Sequence, residues 1–246
     1  MVKIIWDEGL VKEFINKLPE LESHEVYVLF LISRRKYAKL YGLDTSHIED
    51  LVLERKVVRK HVNIDWRYRY WKNILRLSLL LENSELVYDL PNKVMGITVL
   101  MNPRNVYKAS IDLQKYISDT LYQCVVSKNR VQLEYELGKL HVKWVNFLHK
   151  RPSRKLFLTI DIDTRDKNYL REVLDLLSPI SDRIFHVVNT VGGYHIVLHL
   201  EGKYWEVFYR EIFKRIPKGK VVEVKNDPLE PIPGTVYCGV KINVIL

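Results

Sequence analysis

Cysteine is scarce in this sequence of 246 residues, where only Cys124 and Cys238 occur, far apart in the chain. A thiolate zinc site is built from closely spaced cysteine pairs, and a disulfide framework needs several cysteines. The count therefore argues against both kinds of site. We expect a protein of a reducing compartment, which we take to be the cytoplasm.

Long apolar segments are missing as well. No run of 18 apolar residues occurs, and the opening MVKIIWDEGLVKEF lacks the long apolar stretch of a signal peptide. Because a helix needs about 20 mostly apolar residues to cross a bilayer, we expect no membrane partner. Apolar residues still make up 47% of the chain, which is ordinary for a globular protein with a sizeable core.

Acidic residues are outnumbered by basic ones. The chain has 39 Lys and Arg against 30 Asp and Glu, a formal net charge of +9. Such an excess favours polyanionic partners, namely nucleic acid, nucleotides or an anionic membrane surface. A solvated surface that is basic only for solubility is the alternative interpretation.

Apolar residues recur at helical spacing through the first 90 residues. The segments with this pattern are LVKEFINKL, EVYVLFLISRRKYAKLYG, SHIEDLVLERKVVRKHV and DWRYRYWKNILRLSLLLEN. They predict a helical N-terminal part over residues 1–93. A strand, VMGITVLMNPR, opens the second part at residue 94, and a helical insertion over 105–150 follows, with a break at Lys128-Asn129.

The last hundred residues alternate strand and helix patterns. The predicted strands are KLFLTIDID, RIFHVVNT, YHIVLHL, KVVEVK and a final VYCGVKINVI, and the predicted helices are DKNYLREVLDLL and KYWEVFYREIFKRI. The first six of these elements follow the order β-α-β-β-α-β, which is ferredoxin-like or RRM-like. We therefore predict an α+β fold with helices on one face of an antiparallel sheet.

A pair of aspartates, Asp161 and Asp163, ends the first of these strands. Strand side chains alternate, so Ile162 should point into the core and both carboxylates away from it. Two like charges so close repel each other, and a divalent cation would remove the repulsion. Oxygen ligands suit Mg²⁺ or Mn²⁺ in a two-metal site. The alternative is a solvated strand end, neutralised by Arg165.

His195 opens the strand that follows the Gly192-Gly193 turn. Glycines allow a backbone to approach a ligand closely, and an imidazole beside a phosphate can donate a charge-assisted hydrogen bond. The alternative is an ordinary surface or core histidine.

Further candidates lie in the segment VVEVKNDPLEPIPGT. If the strand runs through residue 227, Glu223, Lys225 and Asp227 share one face. A third carboxylate would complete a metal site, and the lysine would hold a phosphate. For Asp227 the alternative is an Asn-Asp-Pro turn.

Three short motifs thus follow one another along the last part of the chain. They are LTIDID with Asp161 and Asp163, GGYH with Gly193 and His195, and VVEVKND. In order and spacing, over roughly residues 94–246, they resemble the motif series of the archaeo-eukaryotic primase superfamily. Its members include small primase subunits, primase-polymerases and end-joining repair polymerases. The strand ITVLMNPR also resembles the strand before the catalytic module of plasmid-type primase-polymerases, which often ends in Asn-Pro-Arg.

The resemblance implies a role for each motif. Asp161, Asp163 and a third acid would bind two divalent ions, Mg²⁺ or Mn²⁺, and carry catalysis. His195, with Gly193 in the preceding turn, would hold the triphosphate of the incoming nucleotide.

The third acid stays open. Glu223 sits better in a strand, whereas Asp227 matches the Asp-Pro of some members. Arg104 and Lys225 are our own candidates for phosphate contacts and do not derive from the family pattern.

Two departures from the family pattern are visible. The basic residue often found before the Pro-Gly-Ser/Thr of the family is missing, since EPIPGT has Glu230 and Pro231 there. The zinc-binding insertion of some members is missing too.

Basic and aromatic residues interleave in two stretches of the N-terminal part, WRYRYWK and SRRKY. Stacking rings combined with cations suit a single strand of nucleic acid. The candidate nucleic-acid contacts are Arg34, Arg35, Lys36, Arg67, Arg69 and Lys72. The alternative is that the rings lie in the core and that the aliphatic parts of the arginine side chains cover it, with their charged groups in solvent.

These observations predict a metal-dependent DNA primase or polymerase, a nucleotidyltransferase that makes or extends strands on a DNA template from nucleoside triphosphates. Its partners would be a single-stranded DNA template or primer, NTP or dNTP, and primase or replication subunits. One alternative is a non-catalytic nucleic-acid-binding module or degenerate primase-like subunit. Another is a glycosyltransferase whose DxD motif holds Mn²⁺ and a nucleotide-sugar, which leaves His195 without a role.

Overall fold

The computed structural model describes residues 5–35, 37, 51–59, 95–217 and 221–246. In these residues the strands are, in chain order, β1 (Glu25–Ser33), β2 (Leu51–Arg59), β3 (Met95–Leu100), β4 (Arg104–Asn105), β5 (Phe157–Ile162), β6 (Ile184–Asn189), β7 (Tyr194–His199), β8 (Val222–Lys225), β9 (Leu229–Pro231), β10 (Val236–Tyr237) and β11 (Val240–Lys241). The helices are α1 (Glu8–Lys17), α2 (Val106–Val126), α3 (Arg130–Gly138), α4 (Leu140–His149), α5 (Lys167–Leu176) and α6 (Lys203–Val207). A 3₁₀ segment, Ser178–Arg183, follows α5, and a π-helical turn, Phe208–Ile212, continues α6.

Most of the strands belong to two antiparallel sheets. The first sheet has the order β2-β1-β3-β9, and β4 pairs with the beginning of β1. The second sheet has the order β6-β7-β5-β8. The predicted α+β class with antiparallel sheets is therefore confirmed.

The second sheet is built from the predicted β-α-β-β-α-β series, β5-α5-β6-β7-α6-β8. Its strand order places β5 and β7, the strands of the aspartate and histidine motifs, next to each other in the middle of the sheet. An apolar core joins this sheet to its helices. Members of that core are Ile160, Ile162, Ile196, Leu170, Val173, Phe208 and Ile212.

The N-terminal part is only partly helical, which corrects the prediction. Helix α1 forms where LVKEFINKL predicted it, but EVYVLFLIS and LVLERKVVR are the strands β1 and β2. Strand β1 is buried on both faces and is therefore apolar without alternation, so periodicity cannot separate it from a buried helix. Its β-branched and aromatic residues suit a strand, and the pairing with β2 and β3 establishes it. The segment DWRYRYWKNILRLSLLLEN lies outside the described residues.

Strands from both sides of the boundary predicted between residues 93 and 94 share the first sheet. Strand β1 pairs directly with β3, and β3 pairs with β9 near the end of the chain. The segment NDPLEPIPGT, which lies between the predicted strands KVVEVK and VYCGVKINVI, thus contributes the strand β9.

The predicted final strand is a hairpin instead. Strands β10 and β11 pair with each other across a turn in which Cys238 and Gly239 have φ angles of +48° and +82°. Two successive residues in the left-handed region reverse the chain, and glycine adopts it without steric cost. After the hairpin, the segment 243–246 runs along the edge strand β6 through hydrogen bonds such as that from Ile245 N–H to Val187 C=O.

The chain is helical over most of residues 106–149, where two long helices were predicted. The break falls at 127–129, and the second predicted helix is divided into α3 and α4 at Lys139. None of the helices in the described part of the chain has the length and apolar character needed to cross a membrane.

The two sheets pack against each other. Their shared core contains Tyr27, Leu29 and Val99 from the first sheet and Phe157 and Val197 from the second. Residues of β5 and β7 that point away from the helices of the second sheet are therefore enclosed between the sheets, which sets the environment of Asp161 and His195.

Candidate functional site

Asp161, His195 and Glu223 form one row across three neighbouring strands. Asp161 on β5 is paired with His195 on β7 and, on its other side, with Glu223 on β8. Directly paired residues of antiparallel strands point to the same face. Ile162 points to the opposite face and is buried in the core beneath the helices, as the alternation predicts.

A chain of ionic contacts joins this row to the first sheet. Nε2 of His195 lies 3.2 Å from Oδ1 of Asp161, and Nδ1 lies 2.7 Å from Oε2 of Glu230 on β9. The Lys225 ammonium donates to Oδ2 of Asp161. His195 is thus held between one carboxylate of each sheet.

Contacts with oppositely charged neighbours outweigh burial in setting the pKa values of these groups. Burial alone would lower the pKa of His195, but Glu230 and Asp161 outweigh it and raise the pKa to about 10. Burial would raise the pKa of Asp161, but the contacts with His195 and Lys225 hold that pKa well below its usual range. The pKa of Glu230 is likewise lowered, because the charge of His195 outweighs burial. At neutral pH His195 is therefore an imidazolium between two carboxylates.

Lys225 lies between the two carboxylates of the row. Its Nζ contacts Asp161 and lies 3.7 Å from Oε2 of Glu223. The Glu223 side chain is 72% exposed, whereas that of Asp161 is 10% exposed. The row therefore opens to solvent at its Glu223 end, and an ammonium group lies where the two carboxylates face each other.

Asp163 lies one residue beyond β5 and is exposed. Its N–H donates to the C=O of Val221 at 2.7 Å, which continues the pairing of β5 with the chain before β8. A Cβ atom at Gly192 would lie 2.8 Å from Oδ1 of Asp163. The aspartate motif and the glycine turn are thus in contact.

Gly193 has a packing role that the sequence did not reveal. A Cβ atom there would lie 2.0 Å from the C=O oxygen of Ile162 and 2.5 Å from that of Thr164. The close approach that requires glycine is therefore an approach to the backbone after β5. Thr190 closes the turn, since its Oγ1 accepts from the Gly193 N–H at 3.2 Å.

Asp227 is held apart from the row. Strand β8 ends at Lys225, so the alternation expected through residue 227 does not continue. Oδ1 of Asp227 accepts from Nη2 of Arg104 at 2.6 Å and from Nδ2 of Asn102 at 3.2 Å. Of the two candidates for the third acid, the pairing of the strands brings Glu223 beside Asp161.

Arg104 is fully buried. Besides its bond to Asp227, its Nε and Nη1 have no hydrogen-bond partner among the described residues. It therefore holds Asp227 from inside the protein and is not exposed to solvent in the manner of a surface phosphate contact.

The carboxylates are not gathered into a ready metal cage. Among the described residues, no group of three or more His, Cys, Asp or Glu side chains is arranged to hold a metal ion. Asp161 and Glu223 on paired strands, with Asp163 beyond the strand end, nevertheless provide the oxygen ligands that Mg²⁺ and Mn²⁺ prefer.

Only two of the six candidate nucleic-acid contacts lie in the described residues. Arg35 is exposed and Arg34 is half-buried, just after β1. The remaining candidates, Lys36, Arg67, Arg69 and Lys72, lie outside the described residues.

Glu230 is the site residue that the sequence did not identify. It stood out only as a departure from the family pattern, between Leu229 and Pro231. A glutamate next to prolines is typical of an exposed turn, and only the pairing of β9 with β3 places it in the core.

Comparisons with known proteins add no relative. No protein-family model matches this chain, and neither the curated proteins nor the solved structures contain a match.

Proposed function

We propose that this protein is a metal-dependent nucleotidyltransferase of the primase-polymerase type. It would make or extend nucleic acid strands on a single-stranded DNA template from nucleoside triphosphates. One observation carries the proposal: Glu223, Asp161 and His195 stand in one row across three paired strands of a β-α-β-β-α-β sheet. The row combines two carboxylates with a cationic imidazole, which are complementary to metal ions and phosphates respectively.

The carboxylates of Asp161, Glu223 and Asp163 would hold the cation. A bound Mg²⁺ or Mn²⁺ would lower the pKa of an attacking hydroxyl and stabilise the leaving phosphate oxygens. Lys225 now neutralises Asp161 and lies near Glu223, so it would compete with the cation for both. Once displaced, its ammonium would be available to a phosphate oxygen.

His195 would orient the phosphates. Its pKa of about 10 keeps the imidazole protonated at neutral pH. Its Nε2 now contacts Asp161, so this nitrogen would donate a charge-assisted hydrogen bond to a phosphate oxygen once the cation takes its place beside that carboxylate. Glu230 accepts from the other ring nitrogen and thereby fixes the ring orientation. A fixed cation at this place would favour negative charge that develops on the phosphate.

A non-catalytic nucleic-acid-binding or degenerate primase-like subunit is the second candidate. The observation in its favour is that His195 and Lys225 already compensate the charge of Asp161. Such a network is stable without a cation, and a basic protein with this network would still bind nucleic acid.

The deciding experiment measures incorporation of labelled NTPs and dNTPs on single-stranded DNA, with and without primer, in Mg²⁺ and in Mn²⁺. We expect metal-dependent products from the wild type and a loss of about 100-fold or more in Asp161→Asn and Glu223→Gln, since each removes a charged ligand. Glu172→Gln, a substitution of an exposed glutamate on α5, is the matched control. Mn²⁺ binding, followed by electron paramagnetic resonance, should weaken in the same two variants.

The outcomes separate the candidates. Full incorporation by Asp161→Asn would refute the proposal. No product under any condition, together with intact DNA binding and no Mn²⁺ binding, would establish the non-catalytic candidate instead.

A further inference from the structure

A second candidate site lies where the β6–β7 turn meets the C-terminal hairpin. It is a cavity of about 570 Å³ beside Gly193. This volume falls within the range of small-ligand pockets, roughly 300–1,000 Å³. The polar and charged side chains that line it are Arg165, Asn189, Thr190, Tyr194, Lys241 and Asn243.

The charge of this cavity is one-sided. Among the described residues, its lining includes the cations Arg165 and Lys241 and no carboxylate. Within the described residues neither cation has an acidic partner: Nη2 of Arg165 donates to the C=O of Val191 at 3.1 Å, and Nζ of Lys241 lies 5.2 Å from the ring centre of Trp6. Two cations without compensating acids in a polar cavity favour an anionic ligand.

Hydrogen bonds fix the walls of the cavity. The Asn189 amide donates to the C=O of Lys241 at 3.2 Å and accepts from the N–H of Asn243 at 2.7 Å. The Tyr194 hydroxyl donates to the C=O of Arg165 at 3.2 Å. The backbone that carries both cations is therefore anchored, so it would lose little conformational freedom when a ligand binds.

Another cavity of the protein shows the contrast. It has a volume of about 450 Å³ and lies between α2 and the end of α4. Asp112 and Asp119 line it, and Arg151 is paired with Asp112 through two hydrogen bonds of 2.5 and 2.9 Å. Lys115 and Lys150 line it as well, so the cavity is basic too, but its lining contains two carboxylates, whereas the described lining of the cavity beside Gly193 contains none.

We propose that the cavity beside Gly193 binds a phosphate group, carried by a single strand of nucleic acid or by a nucleotide. Arg165 would approach the phosphate as a planar donor and Lys241 as a point charge. The inference goes beyond the proposed function, because it requires neither a divalent cation nor catalysis.

The test measures binding in EDTA by fluorescence anisotropy. Two probes are used, a labelled ten-residue oligothymidylate and a labelled dATP, each over a series of salt concentrations. The double variant Arg165→Gln/Lys241→Gln is compared with Arg171→Gln/Lys214→Gln, which removes the same charge from exposed positions outside the cavity lining. Circular dichroism verifies that both variants are folded.

We expect the cavity variant to bind a probe about tenfold more weakly at low salt, and the control variant to bind like the wild type. For the oligonucleotide, the loss of two phosphate contacts should also reduce the slope of log K against log salt by about 1.4. Weaker binding of the oligonucleotide identifies a phosphate of a nucleic acid strand as the ligand, and weaker binding of dATP identifies a nucleotide phosphate. The inference is wrong if the cavity variant binds both probes as tightly as the wild type does. It is also wrong if the control variant loses as much affinity for the probes as the cavity variant. Because no metal is present, this result is independent of the incorporation assay.

Discussion

Glu230 raises the pKa of His195, although 35 positions separate them in the chain. The carboxylate is fully buried, and it gains its partner only because β9 joins the first sheet while His195 belongs to the second. Held between Glu230 and Asp161, His195 stays protonated, which suits a phosphate contact.

Replacement of Glu230 should therefore change how His195 titrates. We expect Glu230→Gln to lower the pKa of His195 by about 1–3, since a carboxylate in direct contact is removed while burial remains. The measurement is an NMR titration of the histidine ring signals. Glu172→Gln, with the same chemical change at an exposed position, should leave the pKa of His195 at about 10. A value unchanged in Glu230→Gln would show that Glu230 does not set it.

The choice of the third carboxylate, Glu223 or Asp227, is also made at the scale of single residues. In the sequence, the strand pattern favours Glu223, whereas the family resemblance favours Asp227 through its Asp-Pro. The end of β8 at Lys225 separates them, since Glu223 stays in register with Asp161 while Asp227 turns towards Arg104. No periodicity argument locates the last residue of a strand so closely.

At the scale of elements, the Thr190–Gly193 turn positions the two motif strands. Gly193 contacts the backbone that follows β5, and Gly192 contacts the Asp163 side chain. The turn therefore fixes the end of the aspartate strand relative to the beginning of the histidine strand. Its glycines are explained by packing, whether or not a ligand approaches.

A methyl group at position 193 should not be tolerated. We expect Gly193→Ala to reduce the free energy of unfolding by about 2 kcal/mol or more, because the new Cβ meets backbone atoms that cannot rotate away. Urea denaturation measures it. Gly138→Ala is the matched control: nothing lies within 4 Å of its Cβ position, and alanine in a helix should gain up to about 1 kcal/mol. Equal stability of the two variants would contradict this account of the turn.

Strand β1 shows why element type was harder to predict in the first part of the chain than in the second. Its residues alternate between two cores, so Leu29 and Leu31 pack towards the second sheet while Val28 and Phe30 pack towards α2 and α4. Both faces are apolar, and the period-2 signal disappears. In the second sheet, turns with proline, glycine or asparagine separate the elements and preserve the signal.

In the whole molecule, the buried ionic contacts join the two sheets, and their protonation links the fold to pH. The pKa of His195 is about 10 in the folded protein, above its ordinary value of about 6.5. Its contribution to stability is complete below pH 6.5 and is lost as the pH rises through about 10. His186 acts on the acid side, because burial lowers its pKa to about 4, so its contribution is lost as the pH falls from about 6.5 towards 4.

The alkaline loss can be isolated by replacing the buried pair. Between about pH 7 and pH 10, we expect the free energy of unfolding of the wild type to fall by about 2–4 kcal/mol more than that of His195→Gln/Glu230→Gln, at about 1.36 kcal/mol per pKa unit. The neutral amides keep hydrogen-bonding capacity without a titrating charge. Denaturation at several pH values measures the difference. His141→Gln, at an exposed histidine, should follow the wild type, and parallel profiles for all three proteins would refute the assignment.

The sequence alone determined the β-α-β-β-α-β series and the face of Asp161, because both follow from local spacing and from turn residues. It also placed the aspartate and histidine motifs in one sheet. Only the tertiary structure decided that β1 and β2 are strands, that Glu223 lies beside Asp161, and that Glu230 reaches His195. These features depend on which segments, distant in the sequence, pack together. A buried carboxylate is stable only when one of these segments supplies an oppositely charged partner.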